Sequence, residues 1–190
     1  MRECLQTEGM DVLQHGYDVN RHFNELIDLI VDGVPTSTEW RLPDWIQHPL
    51  LKEEMSHLNL DRDAIDLYQI YHDCGKPLCL TVDAEGRRHY PAHAVVSQSR
   101  WLACSDGSSV AHYIGRLIGK DMLVHTSRMA DVDSLSKDPD ILVLLLTALA
   151  EVHSNAAMFG GIESTSFKIK WKHINKIGGR IISAAAVAQR

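Results

Sequence analysis

Apolar residues recur at helical spacing along most of this chain. Val12, Val19, Phe23, Leu26, Ile27 and Ile30 form one stripe of an amphipathic helix over Val12–Val31. "DGVPTSTEWRLPDW" then reads as a turn and a loop. Trp45, Ile46, Leu50, Leu51 and Met55 predict a second helix over Asp44–His57. "NLDRDAIDLYQIYHD" is a third, with Asp61 or Asp63 to cap its start. Gly75 is placed to end it, and Pro77 to prevent its resumption.

"LTVDAEGRRHY" forms either a short ribbon or an exposed loop around the turn-prone Glu85-Gly86. Pro91 suits the first turn of a helix that runs to about Ala103. "SDGSS" breaks the chain, and Val110–His125 is helical by pattern. Asp138–Met158 is the most apolar helix and the expected centre of the core. "FGGIESTSFKIKWKHINKIGGR" opens as a Gly/Ser-rich turn and becomes basic, and "IISAAAVAQR" is rich in helix formers. No repeat, low-complexity tract or convincing period of two appears. The expectation is one all-α domain over residues 1–190, with "LTVDAEGRRHY" as its one hairpin candidate and a basic C-terminal segment, 166–190.

Composition narrows the function. Apolar residues make up 45% of the chain and charged residues 23%, as in ordinary globular proteins. The net charge of −6 argues against a molecule that embraces nucleic acid with its whole surface, so any such contact needs a local patch. The four cysteines, Cys4, Cys74, Cys79 and Cys104, form no C-x-x-C pair and read as reduced thiols of a cytoplasmic protein. The polar start, "MRECLQTEGMDV", does not resemble a signal peptide. The longest apolar run, Ile141–Ala150, is too short to span a bilayer, so no membrane association is expected. Eleven histidines are many for this length and direct attention to metal binding.

The densest chemistry lies in "YHDCGKPLCL", residues 71–80. His72 and Asp73 place an imidazole and a carboxylate side by side at the end of an apolar helix, where they are costly unless paired or bound to an ion. Further ligands must come from elsewhere. His15 lies early on the first helix, with His22 as its rival. His93 opens another helix, and Asp121 and His125 stand four apart, on one face of the expected helix. Glu151 sits in the most apolar helix, where a carboxylate needs a partner; Asp131 is the alternative distal acid. Mixed nitrogen and oxygen donors suit Mn²⁺, Fe²⁺, Co²⁺ or Ni²⁺, with Mg²⁺ or Zn²⁺ also compatible.

On these residues the chain resembles the HD-domain metal-dependent phosphohydrolases. The early His15, the His72-Asp73 doublet and a later acid follow the family order, and "HDCGKP" with "YPAHAVVS" is most similar to the HD domains of tRNA nucleotidyltransferases and of RNA end-healing polynucleotide kinases. "DMLVHT" and "LVLLLTALAE" extend the likeness, with Asp121 where a histidine would stand and Glu151 where an aspartate would. The resemblance implies an all-α fold, one or two divalent ions and hydrolysis of a phosphate ester. It favours a 2′,3′-cyclic phosphate or a 2′ or 3′ phosphate at a nucleic-acid end, with free (d)NMP or dNTP as the alternative. A non-catalytic nucleotide- or RNA-binding module with a degenerate site is the reading from another class. The expected ligands are His15, His72, Asp73 and Glu151, with His93 and Asp121 as ligands of a second ion or, with His125, as proton-transfer groups. Lys76 is expected to meet phosphate at the mouth of the site, helped by Arg128, Lys168 and Lys170. Lys168, Lys170, Lys172, Lys176 and Arg180, interleaved with Phe167 and Trp171, are either a solvated face or a phosphate-contacting patch with an aromatic for base stacking. Trp40, Trp45 and Trp101 read as packing residues, and Cys74 as a small buried side chain.

Overall fold

The computed structural model describes residues 1–7, 9–57 and 62–188. Helix α1 covers Val12–Asp32, and Val12, Val19, Phe23, Leu26 and Ile27 of its stripe are buried. It ends as glycine allows: Gly33 takes a φ of +71°, and Val34 N–H turns back to the Asp28 carbonyl at 3.2 Å.

The next expected helix is split. Asp44–Gln47 forms a 3₁₀ turn, and α2 begins afresh at Pro49–His57. Between them His48 is extended, with ψ 131°, because the ring of Pro49 excludes the helical region for the residue before it. Helix α3 covers Arg62–Tyr71, with Asp63 in its first turn; Asp61 lies outside the described residues. Residues 72–75 form a turn, and α4, Lys76–Cys79, resumes helical structure at once. Pro77 therefore does not block a helix. It stands in the first turn of one, where its missing N–H costs nothing.

Two antiparallel pairs complete the β content among the described residues. Leu5–Thr7 (β1) pairs with Met10–Asp11 (β2), which the polar opening of the chain did not suggest. Thr81–Val82 (β3) and Arg88–His89 (β4) form a hairpin, so of the two readings left open for this stretch the ribbon holds. Helix α5 is His93–Cys104; it starts two residues after Pro91, beyond Ala92 in the left-handed region at φ 52°. Helix α6, Ser109–Lys120, is capped by Ser108, whose hydroxyl accepts from Ala111 N–H at 3.1 Å. It stops there, and α7 is a separate turn, Leu123–Thr126. The continuous helix expected over Val110–His125 is thus broken at Asp121-Met122. Helices α8 (Val132–Leu135), α9 (Ile141–Ser154) and α10 (Thr165–Ala188) follow.

The fold is all-α apart from the two strand pairs. It divides into two compact units, each assembled from separated segments: Met1–Asn20 with Asp61–Met122, and Arg21–Leu60 with Leu123–Arg190. No linker-like stretch marks the division, which is why the sequence reads as one domain. In the first unit α5 and α3 pack on α6, and α4 on α5. In the second, α9 is buried along nearly its whole length, and α10 packs on α9, α8 and α7. Gly178 of α10 is tight against Trp45 and Leu145, at 2.7 and 3.1 Å from a Cβ built there. Among the described residues no helix is long and apolar enough to cross a membrane, and all four cysteines are thiols.

Candidate metal centre

The first unit gathers its chemistry around one carboxylate. Asp73 is 1% exposed, and the groups nearest its oxygens are imidazoles and an ammonium. Oδ2 lies 3.1 Å from His72 Nε2, 3.7 Å from His15 Nε2 and 2.6 Å from Lys76 Nζ. Oδ1 lies 3.6 Å from His93 Nε2. Burial alone would raise the Asp73 pKa, but His72, Lys76 and His15 hold it well below the usual carboxylate range.

Two glycines make this convergence possible. A Cβ on Gly16 would collide with the backbone of Ile70, so glycine lets α1 lie against the end of α3 and delivers His15 beside His72. Their rings meet edge to face with centroids 5.2 Å apart. A Cβ on Gly75 would collide with the backbone of Val96 and Ser97, so the doublet turn also sits directly on α5. Gly75 N–H donates to Ser97 Oγ at 2.9 Å, and the Cys74 thiol to the Ser97 carbonyl at 3.4 Å. Burial raises the Cys74 pKa to about 11, and Asp73 adds to the rise, so this thiol is a packing group and not a nucleophile. The first turn of α5 then carries His93, whose Nδ1 is 3.1 Å from the Tyr90 carbonyl. His72 Nδ1 lies 2.6 Å from the Gln69 carbonyl, which leaves its Nε2 directed to the carboxylate.

The donor set fits a divalent ion. With metal–ligand bonds of about 2.1 Å, ligand atoms around one ion stand about 3.0–3.5 Å apart. The distances of His72 and His15 from Asp73 Oδ2 fall in or close to that range, and the two rings offer nitrogens within 4.8 Å of each other. His93 addresses the other oxygen, as a ligand to a separate ion would.

Lys76 differs from its expected place. It is 7% exposed and lies against Asp73, not at the mouth of the site. Its ammonium also donates to Gln6 Oε1 at 2.9 Å and lies 5.3 Å from the Tyr90 ring centroid. Leu5 of the same strand accepts from Tyr90 Oη at 2.9 Å and from Arg88 at 3.2 Å. Gln6 lies in no motif, and Tyr90 opens the "YPAHAVVS" stretch without a role expected of it; Gly16, a glycine inside a helix, was a legible sign of close approach.

Asp121 is also placed otherwise. It is the C-cap of α6, buried, and accepts from Tyr68 Oη at 2.7 Å. The helix stops at this cap, and His125 stands on the separate turn α7, so the unbroken helix that the spacing assumed is not formed. His22 is the unproductive rival of His15: it counts with the second unit and faces Trp40, with ring centroids 5.6 Å apart.

In the second unit Glu151 and His125 meet each other, Oε2 to Nε2, at 2.8 Å. The alternative acid, Asp131, is exposed and accepts from Arg128 N–H at 2.6 Å, a backbone cap. Arg128 itself is exposed. Trp40 stacks on His153 at 4.3 Å, Trp45 donates to the Asn175 carbonyl at 3.1 Å, and in the first unit Trp101 donates to the Ala111 carbonyl at 2.9 Å, so all three tryptophans pack as expected. The aromatics of the basic segment are not offered for stacking. Phe167 is fully buried, and Trp171 donates to the Arg41 carbonyl at 2.6 Å beneath the Arg41 guanidinium. Comparison of the chain with protein-family models, curated proteins and solved structures gives no match.

Proposed function

We propose that this chain is a divalent-metal-dependent phosphohydrolase of the HD type, acting on a phosphate ester of a nucleotide or of a nucleic-acid end. The observation that carries the reading is the fully buried Asp73 carboxylate with His72, His15 and His93 within 3.7 Å. A buried carboxylate facing three imidazoles is a cation-binding arrangement. Asp73 supplies the anionic ligand, His15 and His72 the neutral nitrogens, and His93 the nitrogen on the far oxygen. The ion supplies Lewis acidity toward a phosphoryl oxygen and lowers the pKa of water. Lys76, buried against Asp73, supplies its positive charge only to a phosphate that comes in beside the carboxylate, and its bond to Gln6 fixes where that charge stands. The resemblance favours 2′,3′-cyclic, 2′ or 3′ phosphates over free (d)NMP and dNTP as substrates.

The position of Lys76 also favours a second reading. An ammonium 2.6 Å from the carboxylate does electrostatically what a metal would do, so a non-catalytic module that binds nucleotide or RNA phosphate is the competing proposal. One experiment separates them. The purified protein and its Asp73→Ala and Lys76→Ala variants are assayed for bound metal and for turnover of cyclic nucleotides, phosphorylated oligonucleotides, NMPs and dNTPs with Mn²⁺, Co²⁺, Ni²⁺ and Mg²⁺. For the enzyme, Asp73→Ala loses metal and activity together. Lys76→Ala keeps its metal and binds substrate about 10- to 100-fold more weakly, the loss of one charge-assisted bond of roughly 1.5–3 kcal/mol. For the binding module, metal is taken up only after Lys76→Ala, and no variant turns over. Glu151→Gln in the same series tests the distal ligand expected from the sequence pattern.

A further inference from the structure

The strongly cationic element is α10. It carries Lys168, Lys170, Lys172, Lys176 and Arg180 and no Asp or Glu, in a chain of net charge −6. Two of these cations are already engaged: Lys168 pairs with Glu163 at 2.7 Å, and Lys170 lies 5.4 Å from the Phe159 ring centroid. The other three, Lys172, Lys176 and Arg180, are exposed, and none meets a carboxylate among the described residues. A spacing of four residues puts them within about 80° of one another around the helix and about 6 Å apart along it. They form a row one side chain wide and about 12 Å long, opposite the face that buries Phe167, Ile174, Ile177, Gly178, Ile181 and Ile182.

We propose that this row binds the sugar-phosphate backbone of single-stranded nucleic acid, irrespective of sequence. A single file of cations matches one strand, whose flexible backbone can bring successive phosphates to it, whereas a duplex presents two files. Arg180 adds a fork suited to phosphate. Base readout is not provided for, because Phe167 is in the core and Trp171 is covered by Arg41. Within the row itself, from Lys172 to Arg180, no large apolar side chain is exposed; Ile169 and Val187 are exposed beyond its two ends, so a membrane surface is the competing occupant that the test below separates. The inference uses only the second unit and stands or falls independently of the metal reading.

The test is fluorescence anisotropy with labelled RNA of about 15 nucleotides in EDTA, across about 50 to 200 mM salt. Three neutralised phosphates predict a slope of log K on log salt of about −2, a roughly twentyfold loss over that range. Oligo-U and oligo-A bind alike. Lys176→Gln flattens the slope by about 0.7, and the triple change Lys172→Gln, Lys176→Gln, Arg180→Gln removes it, with circular dichroism unchanged because all three sites are on the exposed face. RNA binding by the triple variant with the original slope overturns the proposal. So does tighter binding to phosphatidylserine vesicles or to poly-glutamate of equal charge than to RNA, which would assign the row to a membrane or to an acidic protein.

Discussion

At the scale of single residues the geometry of the candidate metal centre depends on two glycines that carry no side chain. Helix propensity alone says that Gly16→Ala stabilises α1 by about 1 kcal/mol. Contact says the opposite, since the new Cβ would meet the rigid backbone of Ile70, and overpacking costs about 1–3 kcal/mol or more. The clash wins, so Gly16→Ala lowers the melting temperature, and Gly75→Ala does the same through Val96 and Ser97. Thermal denaturation of both variants decides this; a stabilised Gly16→Ala would mean that α1 and α3 are not in contact at Ile70. How far the site was legible follows from the same scale. His15, His72, Asp73 and His93 were readable because each carries a motif position, and the structure brings these four together. Asp121 was placed on a shared face because spacing assumes an unbroken helix, and the break that makes it the C-cap of α6 and an acceptor for Tyr68 Oη leaves no mark in hydrophobic periodicity. Lys76 misled for another reason: a lysine beside a glycine looks exposed, and only the packing of Gln6 and Tyr90 over it shows otherwise.

At the scale of elements, the second unit joins the segment after α1 to α9 and α10 through a ladder of rings. His22 faces Trp40, Trp40 stacks on His153, and His153 meets Phe167 edge to face. His153 Nδ1 is 2.8 Å from the Leu149 carbonyl and Nε2 accepts Arg41 N–H at 3.1 Å, a pairing that requires the neutral ring. Burial, opposed in part by the Leu149 carbonyl and reinforced by His22, lowers the His153 pKa from 6.5 to about 4. The unfolded chain therefore takes up this proton between about pH 6.5 and 4 while the folded chain does not, so stability falls as pH falls through that window. The loss by pH 4 is about 3 kcal/mol. Urea titrations at pH 7 and pH 4.5 measure it, and His153→Phe, which keeps a ring in the ladder, is expected to flatten the dependence. An unchanged slope in that variant would place the titration elsewhere. Elements themselves were legible where periodicity and punctuation agree, as in α1 and α9. They were missed where a proline sits inside an apolar pattern, as at Pro49, or where pairing involves only a few residues, as in β1 and β2.

At the scale of the whole molecule the chain is interleaved: it leaves the first unit at Asn20, inside α1, and returns at residue 61. Many of its decisive contacts are consequently remote in sequence. Trp45 to Asn175 and Trp171 to Arg41 each span 130 residues, and Arg41 to His153 spans 112. Loop-closure entropy must be met before such contacts contribute, so refolding is expected to be slower than for an up-and-down helical bundle of equal length. Stopped-flow tryptophan fluorescence tests this, with sub-millisecond refolding as the contrary result. The same interleaving sets a timetable at the ribosome. Trp40, Trp45, Leu50 and Leu51 emerge about 130 residues ahead of the helix that covers Trp45, a wait of roughly 7–26 seconds at ordinary rates of synthesis. During that interval the nascent chain displays an apolar segment whose partner in α10 is not yet made, which is the kind of surface that chaperones hold.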